Sequence, residues 1–142
     1  MHINLRAGEK LYLNGAVLRS DRKVSLELMN DAVFLLEAHV MSPEKATTPL
    51  RQLYFVVQTM LMDPQGVARA RLVFTASLDA MTAAYDDVGV QEVLALCARQ
   101  VAKDRFFDAL KGLRGAFALD DALLGRLPSK QAPSTSASQK AA

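Results

Sequence analysis

Lys10-Leu11-Tyr12-Leu13-Asn14-Gly15-Ala16-Val17-Leu18-Arg19 is the stretch that decides the fold class of this chain. Two four-residue runs rich in Leu, Val and Tyr flank an Asn-Gly pair. Both turn residues tolerate the positive φ of a type I′ turn, so the segment predicts a β-hairpin. On its N-terminal side, Ile3 and Leu5 alternate with polar neighbours, and Gly8 punctuates before the hairpin. On its C-terminal side, Ser20-Asp21-Arg22-Lys23 reads as a polar turn. Val24, Leu26 and Leu28 then alternate with Ser25, Glu27 and Met29, the pattern of a half-buried strand. Asn30-Asp31 makes a third turn before Ala32-Val33-Phe34-Leu35-Leu36. That apolar run suggests a central or doubly covered strand, with a short helix as the alternative. The first third of the chain is therefore expected to be an antiparallel meander of four or five short strands.

The character changes near Met41-Ser42-Pro43-Glu44. Thr48-Pro49 is a helix start, with threonine as N-cap and proline at the first helical position, where its missing N–H costs nothing. Leu50, Leu53, Tyr54, Val57 and Leu61 mark one face, and Phe55, Val56, Met60 and Met62 populate the rest. A helix this apolar all round is buried or lies at a subunit interface. Asp63-Pro64 repeats the start signal for a helix running to about Tyr85, closed by Asp86-Asp87 and Gly89. A third stretch begins at Val90 and continues, or restarts, through Phe106, Leu110, Leu113 and Phe117, weakened by Gly112 and Gly115. From Pro128 to Ala142 no large apolar side chain occurs, which predicts a disordered tail. The fold expected is α+β: an N-terminal antiparallel β meander packed with a C-terminal bundle of three to four helices. One domain would span residues 1–127, with 1–45 mainly β and 46–127 mainly α, and the tail would span 128–142.

Composition narrows the function classes. Among 142 residues, 17 are basic and 15 acidic, so net charge reveals no nucleic-acid footprint and any anionic partner must meet a local patch. The single cysteine, Cys97, excludes an internal disulfide. His2 and His39 stand in no metal-ligand spacing, and neither a phosphate-cradling glycine loop nor a nucleophile elbow is present. No catalysis, cofactor or metal is expected. Met1 leads directly into the strand-like stretch and no apolar run approaches the roughly 20 residues of a membrane span, which predicts a cytoplasmic protein. Asp86-Asp87 and Asp120-Asp121 read as helix caps and solvated turns, Cys97 as a structural thiol, and His39 as a hydrogen-bonded strand-end residue. Arg6, Lys10, Arg19, Arg22 and Lys23 punctuate the β part, with Tyr12 among them, and Arg51 opens the first helix. Such residues can follow a phosphate backbone and offer one ring for base stacking. A solvated rim paired with Glu9, Asp21 and Glu27 is the competing reading.

Three stretches carry a resemblance. They are Leu5-Arg6-Ala7-Gly8-Glu9-Lys10-Leu11-Tyr12-Leu13-Asn14-Gly15-Ala16-Val17-Leu18; Asp21-Arg22-Lys23-Val24-Ser25-Leu26-Glu27-Leu28 through Phe34 to Met41; and Thr47-Thr48-Pro49-Leu50-Arg51-Gln52-Leu53-Tyr54-Phe55 through Met62. Together these resemble the FlbT family of flagellin regulators from α-proteobacteria. The resemblance implies a post-transcriptional role on the 5′ untranslated leader of flagellin mRNA, altering its translation or decay, alongside a small partner, FlaF. Some members repress flagellin and others promote it, so the sign stays open. The motif positions it carries over are Asn14 and Gly15 for the hairpin turn, Arg22 and Lys23 for the second turn, and Thr48, Pro49, Arg51 and Tyr54 at the start of the first helix; His39 stands as a structural position beside them. The rival reading is a chaperone-like module that binds FlaF or flagellin and touches mRNA only indirectly. Met41, Met60, Met62 and Met81 would serve such an interface, or pack a core. A homo-oligomer is compatible with either reading.

Overall fold

Asn14 at φ +49° and Gly15 at φ +84° close the expected hairpin in the computed structural model, which describes residues 1–30 and 32–125. Strand β2 (Lys10–Leu13) pairs antiparallel with β3 (Ala16–Arg19), Leu13 opposite Ala16 and Lys10 opposite Arg19. The tip is fastened from outside: the Asn14 N–H donates to the Val33 carbonyl at 2.8 Å, and the Val33 N–H donates to Asn14 Oδ1 at 3.1 Å. The expected tail at 128–142, the domain end at 127 and the Asp31 half of the third turn lie outside the described residues.

The strand order differs from a simple meander. Strand β1 (His2–Leu5) pairs with β4 (Val24–Glu27), while β2 lies between β3 and β5 (Phe34–Leu36), all pairs being antiparallel. The physical reason is burial. Ile3 and Leu5 of β1 pack against Leu11 of β2 and Phe34 of β5 in a small core, so the first two strands must face each other from separate sheets rather than sit side by side. Phe107 closes that core, its ring 4.8 Å from that of Phe34. Strand β5 is covered on both sides, as its unbroken apolar run suggests: Phe34 faces the small core and Leu35 faces the helices.

Helix α1 (Pro49–Met62) is the centre of the larger core. Its start is as expected, with the Arg51 N–H donating to Thr48 Oγ1 at 3.2 Å and Pro49 at the first position. Leu50, Leu53, Val57, Met60 and Leu61 are buried against α2 (Val67–Ala84), α3 (Val88–Ala102), α4 (Phe106–Gly115) and Leu35. The apolar character of α1 is thus explained by burial inside the chain. Met60 and Met81 are buried and Met41 and Met62 pack on the same core, so these four methionines fill it. Five α-helices occupy the described residues because the third helical stretch divides twice. Asp104 takes a left-handed conformation at φ +58° between α3 and α4, and the chain breaks again at Gly115–Ala116 before α5 (Phe117–Gly125). Asp87 caps α3 by accepting from the Val90 N–H at 3.1 Å, as read from the sequence. No helix among the described residues is long and apolar enough to cross a membrane.

Candidate nucleic-acid interface

Antiparallel pairing brings one end of each of four strands together. Leu5 lies opposite Val24 and Lys10 opposite Arg19, so the turns at 6–9 and 20–23 meet at a single end of the β region. Backbone bonds join them: the Gly8 N–H donates to the Ser20 carbonyl at 2.7 Å, and the Ser20 N–H to the Glu9 carbonyl at 3.4 Å. Gly8, at φ +81°, permits the tight reversal that makes this possible. The result gathers Arg6, Lys10, Arg19, Arg22 and Lys23, five cations scattered along the first part of the chain.

Lys10 and Arg19 face each other across the ladder, a like-charge pairing that costs stability. No ion pair holds Lys10, Arg19 or Lys23 among the described residues. The two pairs present are weak. Arg6, 84% exposed at its side chain, lies 3.9 Å from Glu9, and Arg22, 79% exposed, lies 3.5 Å from Asp21. Glu9 is turned inward, accepting from the Arg6 N–H at 2.9 Å, and Glu37 accepts from the Lys10 N–H at 2.7 Å. Glu27, the third carboxylate of the competing reading, pairs with His2 at the far end of β4. Tyr12 departs from its suggested stacking role: it is half-buried and packs toward the helical core, so its ring is part of the fold.

Arg51 lies elsewhere. Its guanidinium makes a bidentate contact with Asp121 of α5 at 2.6 and 3.0 Å and stacks over the Phe117 ring, 4.6 Å from its centroid. The Asp121 carboxylate holds that positive charge more firmly than usual. Arg51 is thereby committed to joining α1 and α5. Tyr54 is buried; its hydroxyl donates to the His39 carbonyl and accepts from Arg114 Nη1 at 3.0 Å. Burial raises the Tyr54 pKa, and burial together with the Arg114 charge lowers that of His39, favouring the neutral ring. His39 therefore closes a short 3-10 turn, Glu37–His39, tied to α1 through its backbone.

The Asp120-Asp121 pair is not the solvated turn its sequence suggests. Adjacent helical residues point in different directions, and here one points in and the other out. Asp120 is fully buried, accepts from the Tyr85 hydroxyl at 2.6 Å, and leaves Oδ2 without a partner among the described residues. Burial lifts its carboxyl above the ordinary value, and burial with the Asp120 charge raises Tyr85 strongly. Cys97 is buried in the core, and burial pushes its thiol up to about 12, which makes it a poor nucleophile at neutral pH. No cluster among the described residues has the make-up of a metal site.

The family described as Flagellar protein FlbT matches residues 1–124. The chain belongs to the FlbT family. A relative from Mesorhizobium japonicum, named "Probable flagellum biosynthesis repressor protein FlbT", is 46% identical over 125 residues, covering 88% of this chain and 85% of that protein. A Brucella ovis relative of the same name is 48% identical over 128 residues, covering 90% and 84%. These names are those of a regulator rather than an enzyme. No solved structure matches the chain. The FlbT match spans both sheets and reaches into α5, so the cationic strand ends lie within it.

Proposed function

We propose that this chain regulates flagellin expression after transcription, by binding the 5′ untranslated leader of flagellin mRNA and altering its translation or decay. The observation that carries the reading is the set of five cations at one end of the β region, with Lys10 held directly opposite Arg19. A fold that places like charges together at some cost is suited to an anion that relieves the repulsion. FlbT-family relatives named as repressors of flagellum biosynthesis supply the biological direction. With the Tyr12 ring turned inward, the contact is to phosphates rather than to stacked bases, and binding works by occupancy: a covered leader changes ribosome or nuclease access. No catalytic step is involved.

A second reading has its own observation. Strand β3 is an edge strand exposed along its length, Val17 being 61% exposed, and α2 turns Leu72 outward at 74%. Such apolar surface suits a module that binds FlaF or flagellin and affects mRNA only indirectly. Titration of a labelled flagellin leader with purified protein across a salt series separates the two. Direct binding that weakens steeply as salt rises supports the RNA reading. Absence of binding at low salt, together with capture of flagellin or FlaF, overturns it.

A further inference from the structure

A second cationic surface lies on the helices, built from residues that the sequence pattern did not single out. Helices α3 and α4 meet at the Lys103-Asp104-Arg105 turn and leave between them a groove of about 550 Å³. Arg99 and Lys103 lie one turn apart on the α3 side, and Arg105 and Lys111 lie on the α4 side. Two carboxylates occur nearby, and each is already engaged. Asp104 is drawn toward α2 by Arg71 at 2.6 Å, in a turn anchored by the Arg71 Nη1 bond to the Val101 carbonyl at 2.8 Å. Asp108 accepts from Arg105 Nε at 2.7 Å. Arg99, Lys103 and Lys111 have no ion pair among the described residues, so three uncompensated charges converge on one groove.

Resting on the RNA reading above, we propose that the α3–α4 groove is a second phosphate-binding site for the backbone of a single RNA strand. Arg99 and Lys103 are separated by about 6 Å of helix rise, a step comparable with that between neighbouring phosphates of an extended strand. The groove presents no aromatic ring on which a free nucleotide could anchor its base, so affinity has to come from successive phosphates, the recognition mode of a polyanion. The Gln100 side chain also lines it and supplies an amide donor beside the cations. Asp104 and Arg105 border the space beneath the Asn14 turn, at the opposite end of the hairpin from Lys10 and Arg19. The Arg105 end of the groove is therefore the length of a four-residue strand, about 13 Å, from Lys10 and Arg19, a span that several nucleotides of one strand bridge.

The test uses the full chain and a labelled single-stranded RNA carrying the flagellin leader sequence, with affinity measured across a salt series. Lys103→Ala combined with Lys111→Ala removes two cations that would meet phosphates. The slope of log affinity against log salt should become shallower by about 0.7 for each phosphate no longer neutralised, and Lys103→Arg with Lys111→Arg should restore it. Gly112→Glu is the second variant. A side chain there meets nothing closer than Gln100 Oε1 at 4.0 Å, so a carboxylate enters the groove while every cation stays in place, and RNA affinity at low salt should fall severalfold. Should the alanine pair disturb folding, the Gly112 variant decides the matter. Wild-type protein that binds RNA while both groove variants keep its slope and affinity overturns the groove and leaves the RNA reading standing. Wild-type protein that binds no RNA at low salt overturns both.

Discussion

The Tyr85 hydroxyl donates to Asp120 Oδ1 at 2.6 Å, joining the residue that ends α2 to a carboxyl buried within α5. The other oxygen of that carboxyl, Oδ2, has no partner among the described residues, so the tyrosine bond matters the more. Together with Arg51–Asp121 on the outer side, it fastens α5 to the rest of the domain. Tyr85→Phe should therefore cost about 1–3 kcal/mol, the penalty for leaving a buried acceptor unsatisfied, read as a lower midpoint in urea unfolding. An unchanged midpoint would show that α5 is held by its apolar contacts alone.

The same carboxyl makes stability depend on pH in a direction opposite to most aspartates. Burial raises the native pKa above the ordinary 3.8, so the native state retains a proton that the unfolded chain releases. The favourable contribution is fully present below the ordinary value and is lost as pH rises through the native one. Asp120→Asn keeps an acceptor for Tyr85 and cannot ionise. Its melting temperature relative to wild type should accordingly rise with pH over the interval that opens at about pH 4, just above the ordinary value. A difference that stays flat across that interval would place the Asp120 carboxylate in an environment that tolerates its charge.

Gly15 combines a positive φ of +84° with close approach, since a Cβ there would lie 3.3 Å from Pro64 Cδ in the α1–α2 connection. Gly15→Val should lower stability by about 1–3 kcal/mol, from a backbone conformation that β-branched residues resist and from the clash at Pro64. Chemical denaturation measures this; a wild-type midpoint would remove the turn from the fold's requirements.

Arg22 and Lys23 are exposed at the cationic strand ends, whereas Arg51 is bound by Asp121. Arg22→Ala with Lys23→Ala should make the salt slope of RNA binding shallower by about 0.7 for each phosphate no longer neutralised. Stability should change by about 1 kcal/mol or less, because exposed charges contribute little. Arg51→Ala should do the reverse, lowering the unfolding midpoint by releasing α5 from α1 while leaving the salt slope as it was. The opposite assignment of effects would move the RNA contact from the sheet to the start of α1.

Local chemistry made several elements legible without any tertiary information. Asn14-Gly15 can form the type I′ turn because of the conformations those two residues allow, and Thr48-Pro49 starts a helix because one caps and the other lacks an N–H to satisfy. The unbroken run at Phe34-Leu35-Leu36 signals a strand covered twice, since neither of its faces offers a polar residue. Each of these depends only on neighbours in the chain.

Neighbour chemistry of this kind accounts for the β-then-α order, the hairpin, the start of α1 and the set of cations available to meet an anion. Which of those cations are free is a matter of packing. Arg51 looks like its fellow cations in the sequence, yet Asp121, 70 positions away, neutralises it, while Lys10 and Arg19 are left facing each other. Packing also sends β1 across to β4, turns Asp120 inward and Asp121 outward, and brings Arg99, Lys103 and Lys111 to one groove. One cause underlies all of these. Charge pairing and burial depend on distances between residues remote in the chain, and those distances exist only once the two cores have packed.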